Sequence, residues 1–204
     1  MSTSERVLIC VACLIAAAPV GAAQRWVSLF DGKALKGWTA EGNAIWKVEN
    51  GAIFGHQGPN RAGGDLYTVR EWQDFEVEAE FKLNDPANSG LWFRRTPKQR
   101  GYQVDLLDEP QHPDIIAGSI YAEGKGFLVK NGDPKTYKKN AWNRVRLVVA
   151  GDAITVMMNG KTVVQTHDST FLGPGRIGFQ VHPGNWTPNM EVRTRKIRIR
   201  DLKK

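Results

Sequence analysis

The sequence predicts an all-β protein, a two-sheet antiparallel sandwich or barrel, and three observations carry the prediction. From Trp26 onward apolar residues recur with a period of two rather than 3.6, the pattern of strands with one buried face. Pairs suited to tight turns, Asn50-Gly51, Asn159-Gly160 and Gly151-Asp152, separate these runs at short intervals. No stretch offers the long apolar stripe of an amphipathic helix. Roughly ten or more short strands with Gly- and Pro-containing turns suit two packed sheets.

Taken in order, the chain opens on a leader. Arg6 precedes the apolar run 7–20, and the small residues Gly21, Ala22 and Ala23 follow, the layout of a secretory signal peptide spanning 1–23. The run is short for a membrane span, so no stable membrane insertion is expected after cleavage, and the expected location is periplasmic or secreted. Cys10 and Cys13 both fall in the leader, leaving residues 24–204 without a disulfide or a thiolate metal site. Those residues suffice for one well-buried domain. The formal net charge is +7, but an exported chain rarely meets nucleic acid, and none is expected as a partner. Much of the basic excess lies in RTRKIRIRDLKK (193–204), read as the solvated face of a terminal strand that blunts edge-to-edge pairing.

The clearest strand is DFEVEAEFKL (74–83), where Phe75, Val77, Ala79, Phe81 and Leu83 alternate with Glu76, Glu78, Glu80 and Lys82. Further strands are expected at WVSLF (26–30), IWKVE (45–49), AIFG (52–55), DLYTVR (65–70), GSIYA (118–122), NRVRLVVA (143–150), AITVMMN (153–159), KTVVQTH (161–167) and RIGFQVH (176–182). Two loops, 55–64 and 109–118, are longer and more polar than hairpins require, as loops carrying function or insertions are.

Chemistry concentrates in NSGLWFRRTPKQRGYQVDLLD (88–108). With Leu91, Phe93, Tyr102, Val104 and Leu106 turned inward, Trp92, Arg94, Gln103 and Asp105 share the other face. An aromatic plate, a guanidinium, an amide and a carboxylate together suit a polyhydroxylated ligand. The same alternation around Ile177 puts Gly178, Gln180 and His182 outward, with Gly178 expected to let a ligand approach the backbone. Asp105 reads as a salt-bridged structural residue, a hydroxyl acceptor or a general base, and His182 as a functional or a satisfied surface histidine. Glu76, Glu78 and Glu80 have spacing compatible with a glycosidase carboxylate pair, but lack aromatic company and read as a charged surface. His56, His112, His167 and His182 show no HxH or HExxH spacing, and no nucleotide loop or GxSxG elbow occurs.

Across nearly the whole of 24–204 the motifs WVSLFDGKALKGWT, WKVENGAIFG, GGDLYT, NSGLWFR, GYQVDLLD, AWNRVRL, MNGKTV and RIGFQVH occur in an order that resembles the 3-keto-disaccharide hydrolase domain family. The resemblance implies a concanavalin A-like jelly-roll sandwich acting on oxidised glycosides, by C2 proton abstraction, β-elimination and hydration. It implies His182 or Asp105 as base, Arg94 as donor to the developing oxyanion, and Trp92, Gln103, Gln180, Tyr121, Asp108 and His56 as ligand contacts. No cofactor is assigned; a divalent metal is allowed without a ligand set. Where the family commonly reads Tyr-Glu-x-Gln, this chain has Tyr102-Gln103-Val104-Asp105. A non-catalytic carbohydrate-binding module of the same fold is the alternative expectation.

Overall fold

A computed structural model describes residues 24–97, 100–185 and 187–202. The signal-peptide reading of 1–23 lies outside the described residues. Fifteen strands are described: β1 (Val27–Ser28), β2 (Trp38–Gly42), β3 (Ile45–Glu49), β4 (Ala52–His56), β5 (Gly64–Trp72), β6 (Phe75–Leu83), β7 (Ala87–Arg95), β8 (Tyr102–Asp108), β9 (Ile120–Ala122), β10 (Gly126–Val129), β11 (Asn143–Ala150), β12 (Ala153–Met158), β13 (Lys161–His167), β14 (Gly175–Val181) and β15 (Glu191–Asp201). They form two antiparallel sheets packed as a jelly-roll sandwich. One runs β13-β12-β11-β6-β15-β4-β3, with β1 also on β15; the other runs β10-β9-β8-β7-β14-β5-β2.

Alternation builds the core. Phe75, Val77, Ala79, Phe81 and Leu83 of β6 are buried, as are Leu91 and Phe93 of β7, Tyr102, Val104 and Leu106 of β8, and Ile177, Phe179 and Val181 of β14. Each such large side chain contributes about 1.5–3 kcal/mol through apolar burial. Asn50 (φ 51) with Gly51 (φ 74), and Asn159 (φ 50) with Gly160 (φ 88), make the expected left-handed turns between β3 and β4 and between β12 and β13.

Two expectations change. The strand at 26–30 shortens to β1, and β2 and β10 appear where no alternation announces them, both at the margins of their sheet. The basic β15 is interior, flanked by β6 and β4, so its arginines do not guard an edge. Glu76, Glu78 and Glu80 lie on interior β6 and pair with cations of β11 and β15. The acidic alternation and the basic tail are thus two halves of one surface ladder.

Candidate functional site

The outer face of the seven-stranded sheet holds a cleft of about 480 Å³ walled by β5, β7, β8, β9, β14 and the 109–118 loop. Strand alternation brings Trp92, Gln103, Asp105, Tyr121, Gln180 and His182 to it, as expected.

Arg94 is not among them. Arg176 of β14 opposes Arg95 and Gly178 opposes Trp92, so Phe93 and Arg94 together face the single residue Ile177. This β-bulge, with Arg94 at φ 51, inverts the alternation at the end of β7. Two glycines make room for it: a Cβ on Gly175 would lie 2.3 Å from the Arg94 carbonyl carbon, and one on Gly101 would lie 2.7 Å from Arg95 Cβ. Arg94 is consequently 0% exposed and donates to the carbonyls of Gln73 (2.9 Å) and Phe171 (3.1 Å) and to Asp74 (3.0 Å). The placement expected of Arg94 belongs to Arg95, which lines the cleft, pairs with Glu123 at 3.1 Å and lies 5.2 Å from the Trp92 ring centre.

Other placements also change. Asp108 has the inward phase of β8, pairs with Lys139 at 2.6 Å and borders a separate cavity beside Tyr137. His56 belongs to β4 of the opposite sheet, where its Nδ1 meets the Gln57 carbonyl at 2.8 Å and its ring packs near Phe54. Gly178 admits no ligand: a Cβ there would lie 2.3 Å from Tyr67 Cδ1, so the space it leaves is filled by that ring.

Asp105 is 4% exposed, and burial raises its carboxyl well above the usual carboxylate range, with the Glu109 charge adding to the effect. Its backbone N–H donates to Ser119 and its carbonyl accepts from Gly118, fixing it to the end of the 109–118 loop. Oδ1 lies 2.6 Å from the Gln103 amide, which donates through its NH2 to a carboxylate or, turned over, accepts from a carboxyl. Oδ2 is buried without a protein partner. Glu109, also 4% exposed, accepts from Asn88 at 3.3 Å.

His182 follows β14, and its Nδ1 lies 2.8 Å from the Pro183 carbonyl. A carbonyl only accepts, so Nδ1 carries the proton and Nε2 is the basic position of the neutral ring. Asp65, not anticipated, accepts from Trp92 Nε1 at 2.9 Å and Tyr67 Oη at 3.0 Å. Burial raises its carboxyl despite those two hydrogen bonds. It holds the indole N–H of Trp92 toward β5, and the Asp65/Tyr67 alternation of DLYTVR could have flagged it. Glu109, His112 and Ile115 come from the longer loop, whereas Glu123 and Phe127 depend on strand order that alternation does not encode.

Among the described residues, no group of three or more His, Cys, Asp or Glu side chains is placed to hold a metal ion. The divalent ion allowed by the resemblance therefore finds no such ligand set there.

The chain is 27% identical over 174 residues to a Bacteroides thetaiotaomicron protein named 3-keto-disaccharide hydrolase, covering 71% of this chain and 59% of that relative. A candidate glycosyl hydrolase from Parabacteroides distasonis superposes with a TM-score of 0.67 at 24% identity, covering 87% of this chain and 100% of the other. The carbohydrate-binding module CBM66 from Bacillus subtilis superposes with a TM-score of 0.60 at 19% identity, covering 81% and 96%. At these identities the two structures speak to the fold alone. Residues 25–200 match the profile of the 3-keto-alpha-glucoside-1,2-lyase-like domain, and the chain belongs to that family.

Proposed function

We propose that the cleft cleaves 3-keto-glycosides by proton abstraction and β-elimination, followed by hydration. The observation that carries this reading is Asp105, a buried carboxyl with a raised affinity for its proton and an oxygen without a protein partner, in a cleft that also holds a histidine with a defined basic nitrogen. In a 3-keto sugar the C2–H bond is acidified by the ketone. His182 Nε2 takes that proton and the electron pair moves onto the C3 oxygen as an enolate. Collapse of the enolate restores the ketone, forms a C1–C2 double bond and expels the aglycone oxygen, which receives the Asp105 proton. Water then adds across the double bond, giving net hydrolysis.

Arg95 is the donor to the enolate oxygen in this scheme. Its Nε is buried without a protein partner, while Glu123 and the Trp92 ring hold its guanidinium in the cleft. Trp92, Gln103, Gln180 and Tyr121 hold the ring. The leader-like residues 1–23 support a periplasmic or secreted setting for this activity.

The test compares a 3-keto-glucoside with its unoxidised parent, with and without a chelator, following aglycone release. Release from the keto sugar alone is expected. His182→Ala should lower kcat by about 10²–10⁴-fold and Arg95→Met by about 10²–10³-fold. Unchanged turnover in both variants overturns the assignment, cleavage of the parent overturns the ketone requirement, and binding without release returns the chain to the carbohydrate-binding alternative.

A further inference from the structure

The opposite face of the sandwich carries a charge imbalance that the cleft reaction does not use. On the outer side of the eight-stranded sheet each glutamate of β6 sits between two cations. Glu76 meets Arg146 and Arg200, Glu78 meets Arg198 at 2.9 Å and Arg144 at 4.0 Å, and Glu80 meets Arg195 and Lys196 at 2.8 Å each. Six cations against three carboxylates leave this ladder three positive charges in excess, a large share of the chain's net +7. Because β15 is an interior strand, edge protection does not account for the surplus.

Two adjoining grooves cross the ladder. One, of about 450 Å³, has Trp26 in its wall; the other, of about 360 Å³, has Trp142; Glu80 and Arg144 line both. The guanidinium carbons of Arg198 and Arg200 lie 4.6 and 5.0 Å from the Trp26 ring centre, and that of Arg195 lies 3.9 Å from that of Trp142. Stacking of this kind holds guanidinium planes in place while leaving their edge donors available.

We propose that this face binds an acidic polysaccharide, with the cations taking its carboxylates and the two tryptophans its apolar sugar faces. The six cations are each more exposed than the glutamates they pair with, so donors not taken by the glutamates can turn to a ligand, and a guanidinium fork matches a carboxylate in two places. The cleft does not suit the same ligand: Arg95, the arginine among its described lining residues, is already paired with Glu123, and Glu109 lies nearby. The face is therefore a separate site and does not depend on the reaction proposed above.

The test is titration of the full chain with polygalacturonate at low and at 0.15 M salt, beside neutral dextran and double-stranded DNA. Polygalacturonate should bind with an affinity that falls steeply with salt, and dextran should not bind. Arg144→Glu with Lys196→Glu should weaken binding at least about tenfold, Trp142→Ala should weaken it severalfold, and the cleft variant Asp105→Asn should bind as the parent does. If the charge-reversed protein fails to give a native melting curve, Arg144→Gln with Lys196→Gln replaces it, with a severalfold loss expected. Unchanged binding in the face variants overturns the proposal. Equal binding of DNA with no effect of Trp142→Ala also overturns it, reducing the face to a charge-only surface.

Discussion

Asp105 in the cleft and Glu76 on the opposite face are almost equally buried, 4% and 2% exposed, yet they meet different surroundings. Glu76 has a guanidinium from each neighbouring strand, Arg146 from β11 and Arg200 from β15. Asp105 has an amide on one oxygen, nothing on the other, and a second carboxylate nearby. Burial alone therefore does not decide what a carboxyl does. The partner decides: paired, it is a charged fixture of the scaffold; unpaired, it is pushed to hold its proton and becomes available for transfer.

The largest expected effect comes from breaking the cleft side of this contrast. Asp105→Asn should lower kcat on a 3-keto-glucoside by about 10²–10⁴-fold, yet raise unfolding stability at neutral pH, because the folded aspartate must hold a proton that the unfolded one releases and an asparagine carries no such cost. Its folded-state proton affinity exceeds the unfolded one, so the native state binds more protons as pH rises above about 4, and the stability it contributes is lost over that rise. The stability gain of the variant should accordingly vanish in acid. Parallel kinetics and urea unfolding across pH check both halves; a variant that is inactive and also less stable at neutral pH breaks the contrast.

Next in size is the neighbouring pair Arg94 and Arg95. Arg94→Met should destabilise the fold by about 3–5 kcal/mol, since it leaves Asp74 without its buried cation and two carbonyls without donors. Turnover per folded molecule should be retained. Denaturant unfolding combined with active-site titration separates this from Arg95→Met, for which the reverse pattern is expected.

The smallest effect belongs to the ladder. Glu76→Gln should cost about 1–2 kcal/mol, because its two arginines are themselves partly exposed, and should leave turnover unchanged. Glu80 sharpens the point. Burial alone would raise its carboxyl, but hydrogen bonds from Lys196 and Arg195 hold it below the usual range. Its contribution to stability is therefore present above about pH 4.3 and lost as pH falls through its folded value. Acid unfolding of Glu80→Gln beside the parent measures it.

The fold was largely readable because period-two alternation is a local property. DFEVEAEFKL gave β6 almost to the residue, and the Asn-Gly pairs marked two of its sister hairpins. Readable for the same reason were Trp92, Gln103, Asp105, Gln180 and His182, each placed by counting twos from a core residue. The failures share a physical cause as well. Arg94 lies past a bulge that resets the count, Asp108 sits at a strand end on the inward phase, and His56 is on the other sheet, which depends on strand order. Gly178 was misread because an absent side chain looks the same whether the space is meant for a ligand or for Tyr67.

The bulge in β7 has a consequence for how this cleft can change. Arg95, the cation on the cleft wall, is aimed by the missing methyl groups of Gly101 and Gly175, neither of which lines the cleft. An alanine at either position closes the room the extra residue needs, so β7 would be driven toward regular pairing, which exchanges the faces of its last two residues and turns an arginine from ligand to interior or back. Changes in the walls of the cleft can therefore be made at many positions, while Arg95, the arginine among its described lining residues, answers to two positions that a screen of lining residues would pass over.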